Sequence, residues 1–151
     1  MSDLRDLYQE VIFDHYRRPR NCHGLVGANH KAEGYNPLCG DRITLYLRIE
    51  DGVVKDASFE GVGCAIATAS ASLMTEALKG KTEAEAEALF GGFRDMVTTP
   101  ATGQAAAAPA LGKLTVLSGV REFPARVKCA TLAWHTLHAA LHDEDRPVST
   151  E

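Results

Sequence analysis

From Arg42 to Glu50 the chain alternates without a break: Ile43, Leu45, Leu47 and Ile49 fall on one side, Arg42, Thr44, Tyr46, Arg48 and Glu50 on the other. A period of two gives one face to a core and one to water, so this stretch is a half-buried strand. Asp51-Gly52 follows at once, a pair suited to the left-handed conformations of a tight hairpin turn. Val53 to Gly61 then returns as a second strand, with Ala57 and Phe59 the inward residues. A sheet that is polar on one face is antiparallel and needs covering only on the other.

Helices supply that cover. Leu4, Leu7, Tyr8, Val11, Ile12 and His15 make one apolar face over residues 3 to 17, and Pro19 ends the helix. His15 closes that face and reads as a packed histidine. Residues 20 to 40 are rich in Gly and Asn and read as loop, with a short strand around Lys31 to Gly34. Ala65 to Lys79 is a helix of small residues closed by Gly80. Thr82-Glu83-Ala84-Glu85 is a capping box. It opens a helix to about Phe90, where Gly91-Gly92 breaks it and Phe93 to Val97 forms a separate turn.

Thr98 to Pro109 lacks large apolar anchors and reads as an exposed, mobile loop. Leu111 to Gly119 is a short helix, Ala130 to His142 the last long one, and the tail from Asp143 frays. Strands early and helices late give an α+β class: a small antiparallel β-sheet with helices packed on one face. At 151 residues the chain is one domain, residues 1–142, with a C-terminal tail over 143–151.

A domain of this length buries roughly 70% of its extended-chain surface and needs no disulfides. Its four cysteines, at 22, 39, 64 and 129, follow a start without an apolar signal region. The expectation is a cytoplasmic protein in a reducing compartment, where cysteines serve metal or sulfur chemistry. The run from Cys64 to Met74 is too short and too rich in Ser and Thr to cross a membrane. A net charge of −4 argues against broad nucleic-acid binding. The basic cluster Arg17-Arg18-Pro19-Arg20 reads either as a solvated helix end or as a docking patch for an acidic partner.

Three of the cysteines fall at the edges of these elements. Cys39-Gly40-Asp41 precedes the first long strand, and Gly40 lets the two flanking side chains converge. One hairpin spans Asp41 to Cys64 and brings Cys64 back beside them. Cys129, in Arg126-Val127-Lys128-Cys129, must arrive by tertiary packing. Cys64 and Cys129 are each placed at a helix N-terminus, where positive potential favours a thiolate. Three thiolates and a carboxylate make the four ligands of a tetrahedral zinc site. The same thiols could hold an iron–sulfur cluster or handle persulfide sulfur, or be three buried free cysteines.

Cys22 has no ligand spacing to the others and reads as an incidental loop thiol. His138 and His142 are spaced i, i+4 and could chelate a metal, but the stripe His135, His138, His142 lies opposite Trp134, Leu137 and Leu141 and reads as solvated. No local signature of a Cys–His hydrolase is present.

Asn36-Pro37-Leu38-Cys39-Gly40-Asp41-Arg42, Phe59-Glu60-Gly61-Val62-Gly63-Cys64-Ala65-Ile66-Ala67-Thr68-Ala69-Ser70-Ala71-Ser72 and Phe123-Pro124-Ala125-Arg126-Val127-Lys128-Cys129-Ala130-Thr131-Leu132-Ala133-Trp134 resemble the IscU/NifU-N superfamily, and its SufU branch more closely. The opening from Leu7-Tyr8 to Asp14-His15-Tyr16-Arg17-Arg18-Pro19-Arg20-Asn21 resembles the family's N-terminal helix. The likeness reaches to about residue 142. Two details resemble SufU rather than IscU. Lys128 stands where IscU-type scaffolds have a histidine, and the 65 positions from Cys64 to Cys129 leave room for an extra segment, Gly91 to Gly119.

The resemblance implies the IscU-type fold and a role in iron–sulfur cluster assembly. Zinc would be held by Cys39, Asp41, Cys64 and Cys129. Cys39 would be the catalytic acceptor, released from zinc by a ligand from the desulfurase and taking persulfide sulfur from a SufS-like cysteine desulfurase. The alternative the resemblance carries is a scaffold holding an iron–sulfur cluster at the same residues and passing it to apo-proteins. A carboxylate among thiolates weakens either site and eases exchange.

Overall fold

A computed structural model describes residues 2–37, 40–98, 109–142 and 148–149. The elements are α1 (Ser2–Arg17), β1 (His30–Asn36), β2 (Asp41–Glu50), β3 (Val53–Val62), α2 (Ala65–Leu78), α3 (Glu83–Thr98), a run of 3-10 turns (Pro109–Glu122), α4 (Pro124–Leu141) and β4 (Val148–Ser149). The sheet order is β3-β2-β1-β4. The first three strands are antiparallel, and β4 lies parallel to β1 with Val148 opposite Gly34 and Ser149 opposite Tyr35. Two residues of the tail expected to fray are therefore paired; residues 143–147 and 150–151 lie outside the described set.

The alternation of β2 holds: Ile43, Leu45, Leu47 and Ile49 are buried. The hairpin turns at Asp51 and Gly52, with φ of 55° and 74°. Ala57 and Phe59 face the core as expected, and so does Val54, whose parity is opposite to theirs. A bulge explains this: Ile49 faces Val54 and Arg48 faces Asp56, which leaves Lys55 as the extra residue. The other sheet face is polar, with Tyr46 donating to Glu60 at 2.6 Å and Arg48 paired with Glu50 at 2.7 Å.

α4 lies across β1 and β2, and α2 across β3, all on one face; α1, α3 and the 3-10 turns pack outside them. Trp134 of α4, fully buried, joins these layers. Its ring stacks on Phe93 of α3 at 4.6 Å, and its Nε1–H donates to Ser70 of α2 at 3.1 Å. His15 is a packed histidine, 1% exposed. Its Nδ1 meets Ser72 Oγ at 2.7 Å, and the same oxygen accepts the Arg20 N–H at 2.8 Å.

Three boundaries differ from expectation. The capping box forms, Thr82 and Glu85 each accepting the other's backbone N–H at 3.1 and 2.9 Å, but α3 continues through Gly91-Gly92 to Thr98. Leu89, Phe90, Phe93, Met96 and Val97 are buried across the glycines at helical spacing. Each glycine costs about 1 kcal/mol in a helix, whereas each large apolar side chain buried gives about 1.5–3 kcal/mol. α4 begins at Pro124 rather than Ala130, the proline preset for the first helical turn. The short helix expected over Leu111 to Gly119 is part of the longer 3-10 run, which buries Leu114, Val116, Leu117 and Val120. The loop expected over Thr98 to Pro109 lies, for residues 99–108, outside the described set.

Candidate metal centre

Asp41 is the first residue of β2, pairs across to Asn36, and is 1% exposed. A carboxylate buried that deeply needs donors or a cation. The hairpin provides the first donor. Arg42 pairs with Val62 at the end of β3, so the chain leaving β3 turns past Asp41 into α2. That turn depends on Gly61, whose φ is +153° and where a side chain would run into the Arg42 carbonyl. The Cys64 N–H then donates to Asp41 Oδ1 at 2.9 Å, and Cys64 Sγ lies 3.9 Å from Oδ2.

Cys64 is also the N-cap of α2, its Sγ accepting the Ala67 N–H at 3.4 Å. The thiol thus faces the positive end of a helix, as the sequence indicated. Cys129 does not: it is the sixth residue of α4, well inside the helix and fully buried, because the helix starts earlier than expected. Asn36, itself buried, directs its Nδ2–H at Cys129 Sγ at 3.7 Å. Sequence reasoning assigned Asn36 no role; its signal was an amide at an inward position of β1, in step with Ala32 and Gly34.

The ligand atoms of Asp41, Cys64 and Cys129 lie within 4.8 Å of one another. Donors on a tetrahedral zinc are about 3.3–3.8 Å apart, given bonds of about 2.0–2.3 Å, so small side-chain shifts would close them on an ion. One carboxylate and two thiolates suit zinc or iron. Cys39 lies outside the described residues. Its neighbour Gly40 has φ +73° and donates its N–H to the Asn36 carbonyl at 2.9 Å, closing the turn between β1 and β2.

The remaining candidates separate from this centre. Cys22 is exposed and forms a bridge to Phe59 on the outer edge of β3. Partial burial and the nearby Glu60 push its thiol up, against thiolate formation. The histidine stripe is less solvated than expected: Phe90 packs edge-on to His135 and stacks on His138, and Glu87 reaches His138 and His142. In the basic cluster, Arg20 is committed to Asp14 at 2.6 Å, which holds that carboxyl below its usual range; Arg17 and Arg18 are exposed. Among the described residues no helix is long and apolar enough to cross a membrane.

Comparison with known proteins identifies the family. The profile of the NifU-like N terminal domain matches residues 7–130. The zinc-dependent sulfurtransferase SufU of Bacillus subtilis is 42% identical over 144 residues, 95% of each chain. The iron–sulfur cluster assembly scaffold protein IscU of Thermotoga maritima is 43% identical over 141 residues, 93% of this chain and 96% of that one. The crystal structure of a NifU-like N-terminal protein from Brucella abortus shares the fold with a TM-score of 0.81 at 24% identity, covering 93% of this chain and 97% of that one. A profile match over most of the length and relatives aligned nearly end to end place the chain in the NifU-like N-terminal domain family.

Proposed function

We propose that this chain serves iron–sulfur cluster assembly as a SufU-type sulfur acceptor, taking persulfide sulfur from a SufS-like cysteine desulfurase. The observation that carries the reading is the convergence of Asp41, Cys64 and Cys129 on one ion-sized space, beside a turn whose sequence supplies Cys39 as the fourth donor. Bound zinc would hold these sulfurs as thiolates at neutral pH. The Asp41 carboxylate keeps that hold exchangeable.

Transfer is then thiol–disulfide logic applied to a persulfide. The Cys39 thiolate attacks the terminal sulfur of the enzyme's Cys–S–SH. A new S–S bond forms on Cys39, the enzyme's S–S bond breaks, and the enzyme cysteine leaves as thiolate. No external oxidant or reductant enters. Lys128 supports this branch, since an ammonium beside Cys129 is no metal donor where a histidine would be one.

The same donors would also suit a scaffold that builds a cluster and hands it to apo-proteins. Identity of 43% to a protein named as such a scaffold favours that second reading. Desulfurase turnover with the zinc-loaded protein, without iron or small thiols, separates them. Strong acceleration with persulfide trapped on Cys39, lost in Cys39→Ala, is the expected result. No acceleration, with intact cluster transfer after reconstitution, would replace the acceptor by the scaffold.

A further inference from the structure

We infer that Glu87, His138 and His142 form a second metal site, open to solvent and selective for divalent ions that prefer imidazole, such as Zn(II) or Ni(II). Their ligand atoms lie within 4.8 Å of one another. His138 stands in the last turn of α4 and His142 is the helix's C-cap, one turn further on, with ring centroids 4.4 Å apart. Glu87 comes from α3 and divides its carboxylate between them. Oε1 is 3.0 Å from His142 Nε2, and Oε2 is 3.5 Å from His138 Nδ1.

Two observations distinguish this from an ordinary surface ion pair. The His138 Nδ1 atom is buried yet makes no hydrogen bond, although it faces the carboxylate. Its nearest charged neighbour is Glu87 Oε2 at 3.5 Å, beyond a good hydrogen bond, and in the tautomer that is unprotonated at Nδ1 this atom offers a cation a donor that no hydrogen bond already occupies. Second, the donors stand on a fixed frame. Phe90 stacks on His138 at 5.1 Å with an interplanar angle of 21°, and Phe93 stacks on Trp134 below it, so α3 and α4 are joined beneath the donors by contacts that need no metal. Preorganised donors lose little freedom on binding.

Two imidazoles and one carboxylate favour zinc, nickel or copper over calcium or magnesium, which take oxygen ligands. Side-chain exposures of 36–52% put the site at the surface, with the buried His138 Nδ1 as its inner donor and the outer coordination positions left to water. His138 is nine residues along α4 from Cys129, about 14 Å at 1.5 Å per residue, so the two centres fill independently.

The test starts from full-length protein with one equivalent of zinc already at the thiolate centre. Titration with zinc by calorimetry, and with Ni(II) while following the imidazole Hε1 resonances, is expected to show one further equivalent at micromolar Kd. His138 and His142 should be the resonances that shift or broaden. His142→Ala, at an exposed position, and Glu87→Gln should each weaken that equivalent at least tenfold and leave the first in place. No second equivalent below about 100 μM metal, or one that survives both substitutions or perturbs other histidines, would overturn the site.

Discussion

Asp41, Cys64 and Cys129 are placed by backbone and burial, whereas Glu87, His138 and His142 are placed by the surfaces of two packed helices. In the first cluster each donor also serves the fold. Asp41 accepts a backbone N–H, Cys64 caps α2, and Cys129 fills the interior of α4 against Asn36. In the second cluster the donors stand outside the core, and the helices would pack through Phe93 and Trp134 without them. A donor with a structural duty cannot be changed without disturbing the protein; a donor on a helix surface can.

Asp41→Ala tests that contrast most severely. It removes a ligand and leaves the half-buried Cys64 N–H without its acceptor, so the metal-free protein should lose about 1–3 kcal/mol. Glu87→Gln, at a half-buried position on the surface of α3, should change metal-free stability by no more than about 0.5 kcal/mol. Asp41→Asn keeps an acceptor for the Cys64 N–H and should recover most of the stability but not the zinc affinity. Urea unfolding in chelator, beside zinc competition, reads both quantities. Equal stabilities for the alanine and asparagine variants would mean that Asp41 has no duty in the metal-free fold.

Burial divides the histidines in the same way. His15 is enclosed, and burial pushes its pKa down, assisted by Arg20 and Lys113 and opposed by Glu76 and Asp14. Its unfolded-state value is about 6.5. Below that pH the unfolded chain takes a proton that the native protein refuses, so stability declines as pH falls from about 6.5 toward the lower native value. Above it both states are neutral and the contribution is complete. Metal-free protein should therefore weaken between pH 7 and 5, and His15→Gln should flatten that slope even if it lowers stability at pH 8. An unchanged slope would show that the Ser72 junction accepts imidazolium.

Much of this was legible in the sequence because it rests on local rules. The β2 alternation, the Asp51-Gly52 turn, the capping box and the return of Cys64 to Asp41 over one hairpin all depend on near neighbours. The failures needed tertiary knowledge. Gly91-Gly92 signalled a stop, but Phe93 had Trp134 to stack on, and burial outweighed propensity. The apolar run after Cys129 reads as the start of a helix, but Pro124, preset for a first turn, begins it six residues before Ala130. Glu87 carried no signal, since only the packing of α3 on α4 sets it opposite His138 and His142. Asn36 was visible only as a polar residue in an inward register.

A milder change separates the two duties of Cys64. Serine is among the best N-cap residues, so Cys64→Ser should match or slightly exceed the metal-free stability of the parent while losing its zinc. Cys64→Ala loses the cap as well and should cost about 0.5–1 kcal/mol. A serine variant as unstable as the alanine one would show that sulfur is needed there for packing rather than for capping.

Gly91→Ala probes the frame of the second cluster with the smallest expected effect. Gly91 lies within α3, and a Cβ at that position meets nothing within 4 Å. The substitution therefore adds helix propensity without a clash, and unfolding should become harder by a few tenths to about 1 kcal/mol. Because the change stiffens α3 one turn beyond Glu87, zinc or nickel affinity at the histidine cluster should hold or rise slightly, and the thiolate centre should not respond. Destabilisation instead would mean that α3 needs the freedom of its glycine pair. The helix that carries Glu87 would then be a moving part, and the contrast between a built-in centre and a surface one would become a contrast between a rigid and a mobile half of the molecule.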